Sequence, residues 1–148
     1  MSGIVSRWVV REEYPVCAED LGADGTVGVD AVERWIASAR DVYLERCSAL
    51  RAAANGSGRA LNFDLSVPDA VPFGRPTTVV VSAGTTEVYP MSFTMAFRVR
   101  TYGGADDVVV NATCAVSLQD PNTGEAGEID DAIRDELIAL EHAARHTN

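Results

Sequence analysis

The sequence predicts an α+β domain in which a curled antiparallel sheet wraps one long central helix. Three observations carry this. One stretch, from Val29 to Leu50, repeats apolar residues at helical spacing. Four later stretches alternate apolar and polar residues with period two, and an amphipathic stretch closes the chain. Antiparallel strands gathered around one helix make an α+β layer arrangement. With 148 residues, the chain 1–148 is expected to form one domain.

Residues 5–16 read as a first strand, with Trp8, Val10, Glu12, Tyr14 and Val16 on one face and Pro15 limiting its end. A polar loop punctuated by glycines runs from Cys17 to Gly28. In the helix that follows, Val32, Ile36, Ala39, Tyr43 and Leu50 share one stripe, widened by Trp35 and Val42, and the run also takes in Val29 and Cys47. Arg34, Asp41 and Glu45 fall opposite, and Arg40 falls at the rim of the stripe. So wide a stripe belongs to a helix packed against a sheet. Asp30 followed by Glu33 predicts a capping pair at its start, and Asn55-Gly-Ser-Gly58 predicts its end.

After the helix the period switches to two. Arg59–Val67 and Thr77–Thr86 read as strands, separated by an irregular connection marked by Pro68, Pro72 and Pro76. Phe93, Met95, Phe97 and Val99 alternate with polar or small residues, as do Val108, Val110, Ala112, Cys114, Val116 and Leu118. Gly103-Gly104 predicts the hairpin between them. Asp120-Pro-Asn-Thr-Gly124 is a turn, and Ile129–Ala144 a second helix.

Composition excludes several function classes. Hydrophobic residues make up 47% and charged residues 23%, the balance of a soluble globular chain. Net charge is −10, and all 12 basic residues are Arg. A chain this acidic, without basic runs, has no footprint for nucleic acid or an anionic membrane surface. Three scattered cysteines without CxxC spacing argue against a disulfide framework or a zinc knuckle. The N-terminal segment meets charge too early for a signal peptide, and no apolar run spans a bilayer, so a cytoplasmic protein is expected.

The stretch from Glu19 to Glu45 is more specific. It resembles the signature of the hotdog acyl-CoA thioesterases of the 4-hydroxybenzoyl-CoA thioesterase type: D-x-D-x-x-G-x-V, then W-x-x-x-x-R, then an aromatic. Asp20, Gly25, Val27, Trp35, Arg40 and Tyr43 fall on that pattern without a gap. Met91–Phe97 resembles the Ser-bearing strand of the family, and Asp120–Ile129 its last turn. The element order is compatible with a hotdog fold, a cone-shaped α+β barrel being the alternative. One position departs: Gly22 stands where the family carries its catalytic acid. Some relatives, including thioesterases of polyketide pathways, lack that acid and rely on an Arg at the position matched by Arg40.

The resemblance implies hydrolysis of acyl-CoA or acyl-carrier-protein thioesters, without metal or organic cofactor. A helix N-terminus offers unpaired N–H groups and partial positive charge to an oxyanion. Gly25, Thr26, Val27, Gly28 and Val29 lead into the helix and are the expected substrate-binding segment. Asp20, Asp24 and Arg40 are the expected catalytic residues: an acid to position water and a guanidinium to hold developing charge. Arg75, in the Val71–Pro76 segment, is the candidate for a CoA phosphate. No Ser lies in a G-x-S-x-G elbow with a triad His, so serine hydrolase chemistry is excluded. His142 and His146 stand one turn apart near the end, without further ligands. Cys17 has no His to activate it. The competing reading is a non-catalytic hotdog protein that binds an acyl thioester or serves as an assembly subunit, motivated by Gly22. An exposed strand edge predicts a homodimer, or a pair of dimers forming a homotetramer.

Overall fold

The computed structural model describes residues 8–68, 76–102 and 108–146. Its elements, in chain order, are β1 (Val10–Pro15), α1 (Val29–Leu44), α2 (Ser48–Ser57), β2 (Ala60–Ser66), β3 (Thr78–Val88), β4 (Phe93–Tyr102), β5 (Val109–Gln119) and α3 (Asp131–His146). The strands form one antiparallel sheet in the order β1-β3-β4-β5-β2. The sheet and helices pack as the α+β arrangement expected, and the Gly103-Gly104 turn lies outside the described residues.

Period two in the sequence becomes one apolar face. Val10, Ala83, Phe97 and Ala112 lie side by side across four strands, as do Glu12, Val81, Val99 and Val110. All of these apolar residues are buried. Val32, Ile36, Ala39 and Tyr43 of α1 are fully buried in the same core. The wide stripe therefore faces the concave side of the sheet. Among the described residues no helix is long and apolar enough to cross a membrane.

Two expectations need correction. The single helix through Leu50 is two helices. Arg46 N–H and Cys47 N–H donate to the carbonyls of Tyr43 and Leu44, three residues back, which tightens the last turn and ends α1. The chain restarts at Ser48 because α3 supplies a cap: Glu136 accepts from Ala49 N–H at 2.9 Å and from Ser48 Oγ at 2.8 Å. Cys47 and Leu50 stay buried across the break, so the apolar period continues through it. Gly58, in the left-handed region at φ 71°, then closes α2. The second correction is at the start of α1. The N-cap is Gly28, not an Asp30–Glu33 pair, and Asp30 lies inside the first turn.

α3 is bound to the body by more than its apolar Ile133 and Leu137. Glu141 accepts from Tyr43 Oη at 2.8 Å and from Thr85 N–H at 2.9 Å, and Tyr43 Oη meets Thr85 Oγ1 at 2.7 Å. Burial, and then the Glu141 carboxylate, push the Tyr43 hydroxyl well above its ordinary pKa, so it keeps its proton. Tyr43 thus has a structural task at the end of α1 remote from the Gly-rich loop.

Candidate functional site

The Gly-rich loop folds back on itself before the helix. Ala18–Asp20 makes one 3-10 turn, and Leu21 and Val27 form a two-residue antiparallel bridge. Gly22 N–H donates to Thr26 O at 2.7 Å, and Gly25 N–H to Gly22 O at 2.9 Å. Gly25 takes φ 80°, a conformation that disfavours any residue with a Cβ. Asp24 Oδ1 accepts from both Thr26 N–H (3.1 Å) and Thr26 Oγ1 (2.7 Å), bracing the tip of the loop. Val27 is buried and anchors the returning arm.

The chain then enters α1 through Gly28, extended at φ −94° and ψ 166°. Gly28 has no side chain with which to cap the helix, and a Cβ built on it meets nothing within 4 Å. The contrast with α2 is direct: there Glu136 accepts from the Ala49 N–H, whereas α1 has no side-chain cap at its start. An anion or a polarised carbonyl oxygen is the natural partner for such a helix end.

Arg40 lies further along α1, its side chain 15% exposed. The guanidinium stacks on Phe63 of β2, with Cζ 3.7 Å from the ring centroid. Its Nε has no hydrogen bond and lies 3.6 Å from Asp41 Oδ1, beyond good hydrogen-bond length. Burial pushes the Cys114 thiol up, and the adjacent Arg40 charge opposes that shift. Arg40 is thus a largely buried cation held by an aromatic face and a thiol rather than by a tight carboxylate.

The other candidate nucleophiles are not equipped for the reaction. Burial, reinforced by Glu136, pushes the Cys47 thiol up to about 12. Cys17 is exposed, and its Sγ faces Pro15 O at 3.9 Å. Ser92 sits in the turn before β4, half-buried. Among the described residues no group of three His, Cys, Asp or Glu side chains converges on a metal position.

Solved structures share this architecture. A thioesterase from Thermus thermophilus, crystallised with coenzyme A and Zn, matches over 93% of this chain and 98% of its own, with TM-score 0.69 and 20% identity. A 1,4-dihydroxy-2-naphthoyl-CoA thioesterase from Synechocystis matches over 90% and 98%, with TM-score 0.70 and 14% identity. The dynemicin thioesterase, described with induced-fit and allosteric effects upon polyene binding, matches over 88% and 96%, with TM-score 0.66 and 17% identity. The chain has the hotdog fold. No family model and no curated protein matches the sequence.

Within this hotdog domain, the expected site residues separate into groups. Gly25 through Val29 form the returning arm and the helix start, as one continuous segment. Asp24 is exposed at the loop tip. Asp20 is turned inward: its carboxylate, 9% exposed, accepts from Cys17 N–H at 2.8 Å and from Arg34 Nη2 at 2.7 Å. Arg75 and the rest of 71–75 lie outside the described residues. Just before that segment, an open hollow of about 320 Å³ is lined by Ser66, Val67, Pro68, Asn111, Ala112 and Thr113. Sequence reasoning missed two partners. Arg34 read as a solvent-face residue, and nothing singled out Phe63 within the 59–67 strand. Neither pairing has a local signal, because Asp20 and Arg34 meet only through the fold of the loop and Phe63 comes from the next strand.

Proposed function

We propose that the protein is a thioesterase that hydrolyses acyl-CoA or acyl-carrier-protein thioesters by direct attack of water. The observation that carries this reading is the start of α1, a helix end opened by Gly28 with space in front of it. There the thioester oxygen accepts from first-turn N–H groups, which meet the negative charge that develops as water adds to the carbonyl carbon. Arg40 lies about 16 Å further along α1 at 1.5 Å per residue, beneath the edge strand β2. Its charge therefore serves as the second stabilising group only for the site of a partner subunit docked at that edge. Asp24, exposed at the loop tip, is the acid that orients the water, whereas the Asp20 carboxylate is turned inward toward Arg34 and Cys17. The water gives a proton to Asp24 as it adds, and collapse of the tetrahedral species breaks the C–S bond and expels the thiolate, which takes that proton up. The three solved hotdog structures described above are each named as thioesterases, which supports the same reaction class.

Gly22, at the position of the family acid, favours the second reading, an acyl-thioester-binding protein without turnover. A panel of aromatic, short, long and carrier-bound acyl thioesters separates the two. Thiol release well above background establishes the hydrolase. Saturable binding of CoA esters without release establishes the binding protein.

A further inference from the structure

The helix start works as an anion site only if the loop in front of it stays where it is. Asp20 is the point at which that loop is held. Three of its acceptors are engaged: Oδ2 by Cys17 N–H, the backbone oxygen by Gly28 N–H at 3.4 Å, and Oδ1 by Arg34 Nη2 at 2.7 Å. The first two bonds close the loop on itself. Only the third ties it to the side of α1.

The pair is unlike an ordinary surface ion pair, which contributes little. The Asp20 side chain is 9% exposed, so its charge is largely out of water, although Arg34 remains 55% exposed. The bond is short and charge-assisted. Arg34 also stands in the second turn of α1, near the end where the helix dipole disfavours a cation.

We infer that Asp20 and Arg34 are a positioning pair, which fixes the 17–28 loop against α1 and thereby sets Gly28 and the first-turn N–H groups where the substrate oxygen binds. The inference rests on the thioesterase reading of the helix start. Arg34 touches no substrate in this account and acts through Asp20 alone.

The test uses Arg34→Ala, Arg34→Lys and Asp20→Asn in the full chain, with two readouts. The first is amide hydrogen exchange at Gly22 and Gly28, which needs no activity. Arg34→Ala and Asp20→Asn should speed exchange at both amides, and Arg34→Lys should restore protection. The second is steady-state kinetics with the best thioester of the panel. Arg34→Ala should lower kcat roughly tenfold to a hundredfold by misplacing the donors, with KM changed less than about threefold. Arg34→Lys should recover most of the rate. Unchanged exchange in Arg34→Ala overturns the pair as a loop clamp, and faster exchange with wild-type kcat overturns its positioning role. If the wild-type protein releases no thiol, the thioesterase reading has failed, and the exchange data still decide the clamp.

Discussion

The guanidinium of Arg40 lies flat against the ring of Phe63, Cζ 3.7 Å from its centroid, so that a cation of the central helix is held beneath an edge strand of the sheet. The arrangement keeps a delocalised charge in place with only a loose carboxylate beside it, Asp41 Oδ1 at 3.6 Å. Arg40→Ala is expected to lower kcat by about a hundredfold with a smaller change in KM, because the charge acts on the transition state. Arg40→Lys keeps the charge but loses the planar stack, and should recover only part of the rate. Wild-type kcat in Arg40→Ala would remove this residue from the mechanism.

Gly22 offers a gain-of-function test. Its φ is not in the left-handed region, and a Cβ there meets Asp24 Oδ1 at 3.4 Å and Thr26 O at 3.6 Å, both ordinary contacts. Gly22→Asp should therefore fold, with a small drop in thermal midpoint from repulsion by the Asp24 carboxylate. A carboxylate at the position where the family carries its acid should raise kcat about tenfold or more by orienting or activating water. An unchanged rate in a stable variant would show that this loop does not present that position to the substrate.

The Tyr43–Glu141–Thr85 cluster is expected to govern stability and not turnover. It lies near the far end of α1, about 21 Å along the axis from the helix start at 1.5 Å per residue. Glu141→Ala removes the acceptor of the Thr85 N–H and leaves the Tyr43 hydroxyl with Thr85 Oγ1, costing about 1–3 kcal/mol in urea unfolding. Turnover per folded molecule should stay at the wild-type value. A wild-type unfolding midpoint, or a selective loss of kcat, would contradict the assignment.

Much of the fold was legible from periodicity, because each strand alternates and each helix carries one stripe. What was not legible depends on contacts distant in sequence. The restart at α2 is capped by Glu136 of α3, while the apolar period runs through the break undisturbed. The N-cap was misread because Asp30 and Glu33 have the right chemistry, whereas the Leu21–Val27 bridge delivers the chain one residue before Val29 in the extended conformation. At the site, the sequence pointed to the loop, the helix start and Arg40. The inward turn of Asp20 toward Arg34 required the loop geometry.

The two sheet edges differ in what they present. β1 carries Arg11, Glu12 and Glu13 and ends at Pro15, features that discourage pairing, and Val9 O is taken by Arg46. β2 presents Ala60–Ser66 with half-buried Leu61, Phe63 and Leu65 on its inner face. The protein is expected to dimerise through β2, giving a light-scattering mass of twice the chain, or four times if the dimers pair. A monomer at micromolar concentration would contradict this.

The central claim is that the start of α1 is left uncapped to receive the thioester oxygen. Gly28→Asp tests it most directly. Gly28 already has the extended backbone of an N-cap, and its Cβ position is open, so an Asp side chain can accept from the first-turn N–H groups. The substitution should leave stability unchanged or raise it by a few tenths of a kcal/mol, as Asp is the better cap. It should also lower kcat by about a hundredfold or more, because the carboxylate occupies the donors and repels the developing oxyanion. A protein that is as stable as wild type, or more so, and nearly inactive is the expected result. Wild-type turnover in a stable Gly28→Asp protein would contradict the claim.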